Sequence, residues 1–516
     1  MRFLHRIKAL LAGFLTLLCL TMFSVGDIVT ADEAVKEEPK KESKAEDAPV
    51  LSVTKGEVTI GESVVSYEAT AGKLPLKDDS GKSLADVFFI AYTKTDAEPG
   101  TRPITFAFNG GPGSSSVWLH MGMLGPRRVR FPEDASSMQP PYTSVENAFS
   151  LLDTTDLVFI DPVSTGFSRP AEPDKKGQFH GYDEDIRSVG QFIHDYTTKY
   201  QRWLSPKFLL GESYGGVRAA GLAGYLQDRY NYELNGIVVI SGVINFQTLR
   251  FGGGNDLPFI CFLPTYAATA WYHGQLSEEL QRKPVKEVVA EAEKFAAGPY
   301  AAALLKGDAL SENRVDAIAK QYSSLTGLSV EFVKRSRLRV SQGRFSKELM
   351  RDEDLTAGRF DSRYKGIDRD SAGESYDYDA SSAALFGPFA AVINDYLRRD
   401  LKYSDDRVYE ILTGNVQPWS YSRFEGRYVD ATDTLREAMT TNPYLKVYLA
   451  CGYYDLATPH FGMEYTIDHL GLAKPLRDNL QFGYYEGGHM MYVHEPSLEL
   501  LKSDLTEFYR SAVPQQ

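Results

Sequence analysis

The sequence predicts an α/β protein: a mostly parallel sheet, covered on both faces and interrupted by a long helical insertion. Three observations carry this. Short runs such as Leu157-Val158-Phe159-Ile160, Phe208-Leu209-Leu210 and Ile237-Val238-Val239-Ile240 are apolar throughout, as strands buried on both faces must be. Between them apolar residues recur at helical spacing, as in Ile186, Val189, Phe192, Ile193 and Tyr196, so strands and helices alternate. Over residues 251–423 that alternation stops. Stretches 277–305 and 314–325 have the helical pattern, and 359–382 is a loop rich in Asp, Ser, Tyr and Gly.

Taken in order, residues 1–31 have the layout of a secretory leader. Arg2, Arg6 and Lys8 precede an apolar stretch over 9–25, and Val29-Thr30-Ala31 offers small residues for cleavage. Residues 32–49, rich in Glu, Lys, Ala and Pro, have too little apolar surface to offset ordering and read as a flexible linker. Val53, Val58, Ile60, Val64 and Val65, punctuated by Gly56 and Gly61, suggest hairpin strands. Stronger strands follow over 87–92 and 104–108, and the second leads into the turn Asn109-Gly110-Gly111-Pro112-Gly113-Ser114-Ser115-Ser116. The core thus has a first part over 50–250, the insertion over 251–423, and a second part over 424–516. That last part is expected to hold a helix over 431–439, strands over 446–450 and 481–485, and a terminal helix over 498–510.

Composition narrows the partners and the compartment. The formal net charge is −13 and no basic cluster follows the first residues, which argues against nucleic acid and anionic membrane surfaces. Once the leader is removed, no stable membrane span is expected. Only Cys261 and Cys451 lie outside the leader, so at most one disulfide is possible, and two buried thiols are the simpler reading. No asparagine has Ser or Thr two places on. An exported chain with neither disulfide framework nor glycan sites fits a bacterial periplasm or exterior.

The chemistry centres on Gly211-Glu212-Ser213-Tyr214-Gly215, placed between a buried strand and a helix. Such a strand–turn–helix lifts a serine hydroxyl out of a sheet, and the turn is tight enough to require glycine. The pentapeptide alone is weak; its partners decide. A serine nucleophile needs an imidazole base, and the base needs a carboxylate on its other nitrogen. Asp455 follows the strand over 446–450 and His489 the strand over 481–485, which gives the chain order Ser, acid, His.

Four segments carry a resemblance: Asn109 to Ser116, Asp161 to Ser168, Gly211 to Gly215 and Gly487 to Pro496. Together they resemble the serine carboxypeptidase family of α/β-hydrolases. The resemblance implies Ser213 as nucleophile, His489 as base and Asp455 as its orienter. It implies an oxyanion hole from the N–H groups of Gly111 and Tyr214. Asn109, the Gly110 N–H and Glu212 would face the free C-terminal carboxylate of a peptide, whose last residue leaves through an acyl-enzyme. No metal or other cofactor is implied.

This chain departs from the family pattern in three places. It lacks the family's disulfides. After His489, Tyr492 stands where a proline is usual and His494 where an acid is usual. Met123 falls where a second carboxylate would pair with Glu212, so half of the acid pair that grips the substrate terminus is missing. Esterase or acyltransferase activity on the same fold therefore stays open, as do an endopeptidase or aminopeptidase and a non-catalytic envelope binding protein.

Overall fold

The computed structural model describes residues 51–514; the leader and the linker over 32–49 lie outside the described residues. Nine strands form the main sheet: β1 (Ser52–Ile60), β2 (Ser63–Lys77), β3 (Ser83–Lys94), β4 (Ile104–Phe108), β5 (Asp156–Ile160), β6 (Lys207–Glu212), β7 (Gly236–Ile240), β8 (Lys446–Gly452) and β9 (Leu480–Tyr485). Their order is β1-β2-β3-β5-β4-β6-β7-β8-β9. The first three strands and the β3–β5 pair are antiparallel, and every pair from β5 to β9 is parallel. The short segment Arg169–Pro170 adds to β3.

The unbroken apolar runs work because side chains alternate between two buried faces. Leu210, Val238, Ile240 and Ala450 join one core cluster, while Leu209, Ile237, Val239 and Leu449 join the other. Helices α1 (Tyr182–Lys199), α2 (Gly215–Tyr230) and α3 (Thr432–Thr441) cover the second face, and the terminal helix α4 (Glu495–Ala512) covers the first through Leu498, Leu501, Leu505 and Phe508. Each such fully buried leucine or phenylalanine contributes about 1.5–3 kcal/mol relative to exposure. Cys261 and Cys451 are buried and unpaired, and burial raises both thiol pKa values. No helix among the described residues is long and apolar enough to cross a membrane.

The stretch read as one insertion over 251–423 is divided in its packing. Residues from Phe259 to Ala357 gather their own cluster around Phe262, Tyr266, Ala292, Tyr300, Tyr322 and Phe345. The helix Ala380–Arg399 does not join it; Leu385, Phe389, Ile393 and Leu397 pack into the main core beside Trp118 and Phe131. Two short strands, Leu355–Ala357 and Lys365–Ile367, pair within the stretch 251–423, where the sequence pattern suggests no strand. Asp361, Ser362, Arg363, Tyr364 and Asp368 are buried, so the polar loop expected over 359–382 shrinks to the largely exposed stretch 369–379. Limited proteolysis is therefore expected to cut first within 369–379. Mass spectrometry of the early fragments checks this, and first cuts inside Val285–Phe295 or Glu312–Thr326 would contradict it.

Candidate active site

Strand β6 ends in the tight turn that carries Ser213. Its φ is +62°, in the left-handed region that non-glycine residues seldom occupy and that clusters at functional sites. The surrounding glycines make the turn possible. A Cβ on Gly211 would lie 2.2 Å from the Gly215 carbonyl oxygen, and one on Gly110 would lie 2.4 Å from the Tyr214 nitrogen. The glycine-rich turn after β4 can thus press against the elbow only without side chains. Hydrogen bonds fix the elbow: Ser213 N donates to Ile240 O (3.1 Å), and Ser213 O accepts from Gly216 N (2.9 Å) and Val243 N (3.2 Å).

Asp455 sits past the end of β8 with both carboxylate oxygens occupied. Oδ1 accepts from the N–H groups of Ala457 (2.7 Å) and Thr458 (2.9 Å). Oδ2 accepts from the Thr458 hydroxyl (2.6 Å) and faces His489 Nδ1 at 2.8 Å. That contact places a proton on Nδ1 and leaves Nε2 as the free, basic nitrogen. Burial lowers the His489 pKa, but the charge and hydrogen bond of Asp455, joined by Glu212, outweigh it, and the pKa stands above its ordinary value. Thr458 thus fixes the Asp455 carboxylate, a role with no mark in sequence beyond its place three residues on.

The histidine loop is held from outside the core sheet. His489 N donates to Phe360 O (2.5 Å), Gly488 N to Asp361 Oδ2 (3.3 Å), and the Phe360 ring lies 5.2 Å from the imidazole. The loop of the acid is held by the same segment, through Leu456 N to Arg359 O (3.1 Å) and Ser362 N to Tyr454 O (2.9 Å). Asp361 is fixed in turn by a buried ion pair with Arg363 (2.6 Å). Residues 359–363, read from sequence as loop, hold the segments that carry both Asp455 and His489.

A cavity of about 640 Å³ opens over this arrangement. Asn109, Gly110, Gly111, Glu212, Ser213, Tyr214 and His489 all line it, while Asp455 lies behind the imidazole. The N–H groups of Gly111 and Tyr214 donate to no protein acceptor among the described residues. Asn109 Oδ1 accepts from Leu119 N (3.3 Å), and its buried Nδ2 lies within reach of the Glu212 carboxylate, whose charged form it favours.

Glu212 has an unexpected companion. Its Oε2 accepts from the Tyr492 hydroxyl at 2.7 Å. Burial raises the Glu212 pKa to about 7, against the lowering effects of His489 and of this hydrogen bond. Met123 is packed in the main core, in the turn His120–Leu124, and is absent from the cavity lining. Its neighbour Gly122 is where a Cβ would come within 2.5 Å of the Tyr492 ring. Tyr492, one of the departures from the family pattern, thus packs against the turn that carries Met123 and places its hydroxyl beside Glu212. Arg127, an alternative anchor for a carboxylate, is engaged with Ser144 away from the cavity.

Among the described residues one group of metal-ligand type converges elsewhere: Glu293, His460 and Glu464, with ligand atoms within 4.8 Å of one another. His460 Nε2 lies 3.1 Å from Glu293 Oε1, and Glu464 accepts from the Tyr484 hydroxyl (2.7 Å), so each has a protein partner. The serine chemistry needs none of them.

Comparison with known proteins agrees with the fold. The crystal structure of Kex1(delta)p, a prohormone-processing carboxypeptidase from Saccharomyces cerevisiae, superposes with a TM-score of 0.53 at 17% identity, covering 86% of this chain and 91% of that one. Pheromone-processing carboxypeptidase KEX1 of S. cerevisiae is 31% identical over 211 residues, which are 37% of this chain and 27% of the relative. Serine carboxypeptidase-like 45 of Arabidopsis thaliana is 25% identical over 197 residues, 36% of this chain and 39% of the relative. The chain thus matches little more than a quarter of the yeast relative's length. A family model for serine carboxypeptidase matches residues 61–495. With its mostly parallel α/β-hydrolase sheet, the chain belongs to the serine carboxypeptidase family.

Proposed function

We propose that the protein is an exported serine carboxypeptidase that removes C-terminal residues from peptides. The observation that carries the reading is the convergence of Ser213, His489 and two unengaged N–H groups on one cavity, with Asp455 behind the imidazole. Ser213 Oγ attacks the scissile carbonyl carbon while His489 Nε2 takes its proton. The N–H groups of Gly111 and Tyr214 receive the charge that develops on the carbonyl oxygen. His489 then protonates the departing amine, and water, activated by the same nitrogen, releases the acyl group. Asn109 Nδ2 and Glu212 face the substrate carboxylate. The leader over residues 1–31 supports export to the periplasm or exterior.

Acetyl-Phe-Leu, its C-terminal amide and its methyl ester provide the test. The free acid is expected to be cleaved with a higher kcat/KM than the amide. Equal rates for acid and amide would overturn recognition of the terminus. Fast ester cleavage with no cleavage of either peptide would favour the second reading, an esterase or acyltransferase. That reading draws on the absence of a second carboxyl beside Glu212.

The pH dependence has a definite sign. Below about 7 Glu212 is protonated and can donate to a carboxylate; above it, the charge repels one. Peptide kcat/KM is therefore expected to fall as pH rises through about 7. Both substrates lose rate at low pH, where His489 is protonated. Glu212→Gln should remove the falling limb for peptides. It should also move the acid limb for esters to lower pH, since the Glu212 charge helps to hold the His489 pKa up. Tyr492→Phe removes a hydrogen bond that favours charged Glu212, so its falling limb should shift to higher pH. Identical falling limbs in wild type and Glu212→Gln would take Glu212 out of substrate recognition.

A further inference from the structure

The net-acidic chain places two arginines, Arg250 and Arg359, on the wall of the catalytic cavity. Neither guanidinium makes an ion pair or a hydrogen bond among the described residues. Arg250 lies over the Phe246 ring at 5.3 Å and Arg359 over the Phe360 ring at 5.2 Å. Many other arginines in the fold are paired with carboxylates, among them Arg102, Arg218, Arg339, Arg363 and Arg407. The cavity lining offers these two no partner, because its one acid is Glu212, buried and occupied by Tyr492. Arg359 is close enough to the imidazole to oppose its protonation. Arg250 is exposed, in the segment of the lining that runs to Phe251.

Resting on the carboxypeptidase reading, we propose that the cavity selects acidic peptides, with an Asp or Glu side chain flanking the scissile bond and received by Arg359 or Arg250. A guanidinium stacked on an aromatic ring keeps its donor edges free and presents them as a planar fork that matches a carboxylate. The substrate's terminal carboxylate already has Asn109 Nδ2 and Glu212. Two further cations therefore call for a second anion, and a side chain is the group a peptide can supply there. The same walls repel a lysine or arginine in those positions, which adds to the discrimination. Since the fields are partly exposed to solvent, the preference should weaken with added salt.

The test uses isosteric pairs, so that only charge differs: acetyl-Phe-Glu against acetyl-Phe-Gln, and acetyl-Glu-Phe against acetyl-Gln-Phe. The full-length enzyme is expected to favour the acidic member of at least one pair by about tenfold in kcat/KM, or roughly 1.4 kcal/mol. Arg359→Gln or Arg250→Gln should bring that ratio towards one, and the pair affected assigns each arginine to its side of the bond. Thermal melting confirms that the variants are folded. Calorimetric binding of the same peptides to Ser213→Ala gives a reading that needs no turnover. Glu and Gln peptides within twofold of each other in both measurements would overturn the proposal, as would a preference untouched in the double variant. Acid-selective binding without hydrolysis of any peptide would sustain this inference while removing the carboxypeptidase reading.

Discussion

Replacing Ser213 or His489 with alanine is expected to lower turnover by on the order of 10⁶-fold, because nucleophile and base act as a unit and either loss removes nearly the whole effect. The fold should survive both changes. Ser213 makes its structural hydrogen bonds through backbone atoms, to Ile240, Gly216 and Val243, and alanine keeps all three. His489 contributes its own N–H to Phe360, again independent of the side chain. Asp455→Asn should cost about 10⁴-fold, since an amide facing Nδ1 favours the wrong tautomer. Here the penalty has a second source: Oδ1 and Oδ2 together accept from Ala457, Thr458 and His489, and an amide nitrogen must break one of these contacts. Ester hydrolysis followed alongside labelling by a fluorophosphonate probe measures both effects. Ser213→Ala with more than a trace of activity in a contaminant-free preparation would refute the assignment.

Asp361→Ala is expected to destabilise the protein by about 3–5 kcal/mol, the usual cost of leaving one member of a buried ion pair without its partner. Arg363 and Asp361 are 3% and 1% exposed at their side chains, so water offers little compensation. Activity should fall as well, because the Asp361 carboxylate also accepts from Gly488 N beside the catalytic imidazole. Asp361→Asn, which keeps an acceptor and the shape, should lose less of both. Urea midpoints and kcat on an ester substrate measure the two effects separately. A change in stability below about 1 kcal/mol for Asp361→Ala would show that the clamp is dispensable.

What could be read from the sequence was what local pattern encodes. Phe208-Leu209-Leu210 before Gly211 and the helix after Gly215 announced the elbow, because strand, turn and helix each leave a composition signal over a few residues. Ser213, Asp455 and His489 stand out as candidates by their order and their places after strands, and the structure sets Asp455 against His489 and puts Ser213 and His489 on one cavity. Partnerships between distant segments left no such mark. Thr458 on Asp455, Phe360 and Asp361 on the histidine loop, and Tyr492 on Glu212 each join residues whose neighbours in sequence say nothing of the contact. The polarity of 359–363 suggested solvent exposure, yet Asp361 and Arg363 are buried because they neutralise each other. The helix Ala380–Arg399 was assigned to the insertion by position alone, and its apolar face proved to belong to the main core. In sequence Tyr492 is only a departure from the family pattern; its hydroxyl on Glu212 and its ring against Gly122 follow from the fold.

The parts of the proposed site lie far apart along the chain as it is being made. The proposed nucleophile Ser213 and the proposed oxyanion donors are present once residue 215 has been added, but the proposed base enters only at residue 489. The terminal helix that follows returns to strand β4 in the middle of the sheet, where the hydroxyls of Tyr509 and Thr105 meet at 2.7 Å across 404 residues of sequence. A growing polypeptide therefore carries its serine for most of its synthesis with no imidazole to activate it. Contacts of such long range close slowly, so the proposed site stays without its imidazole for as long as the chain is unfinished.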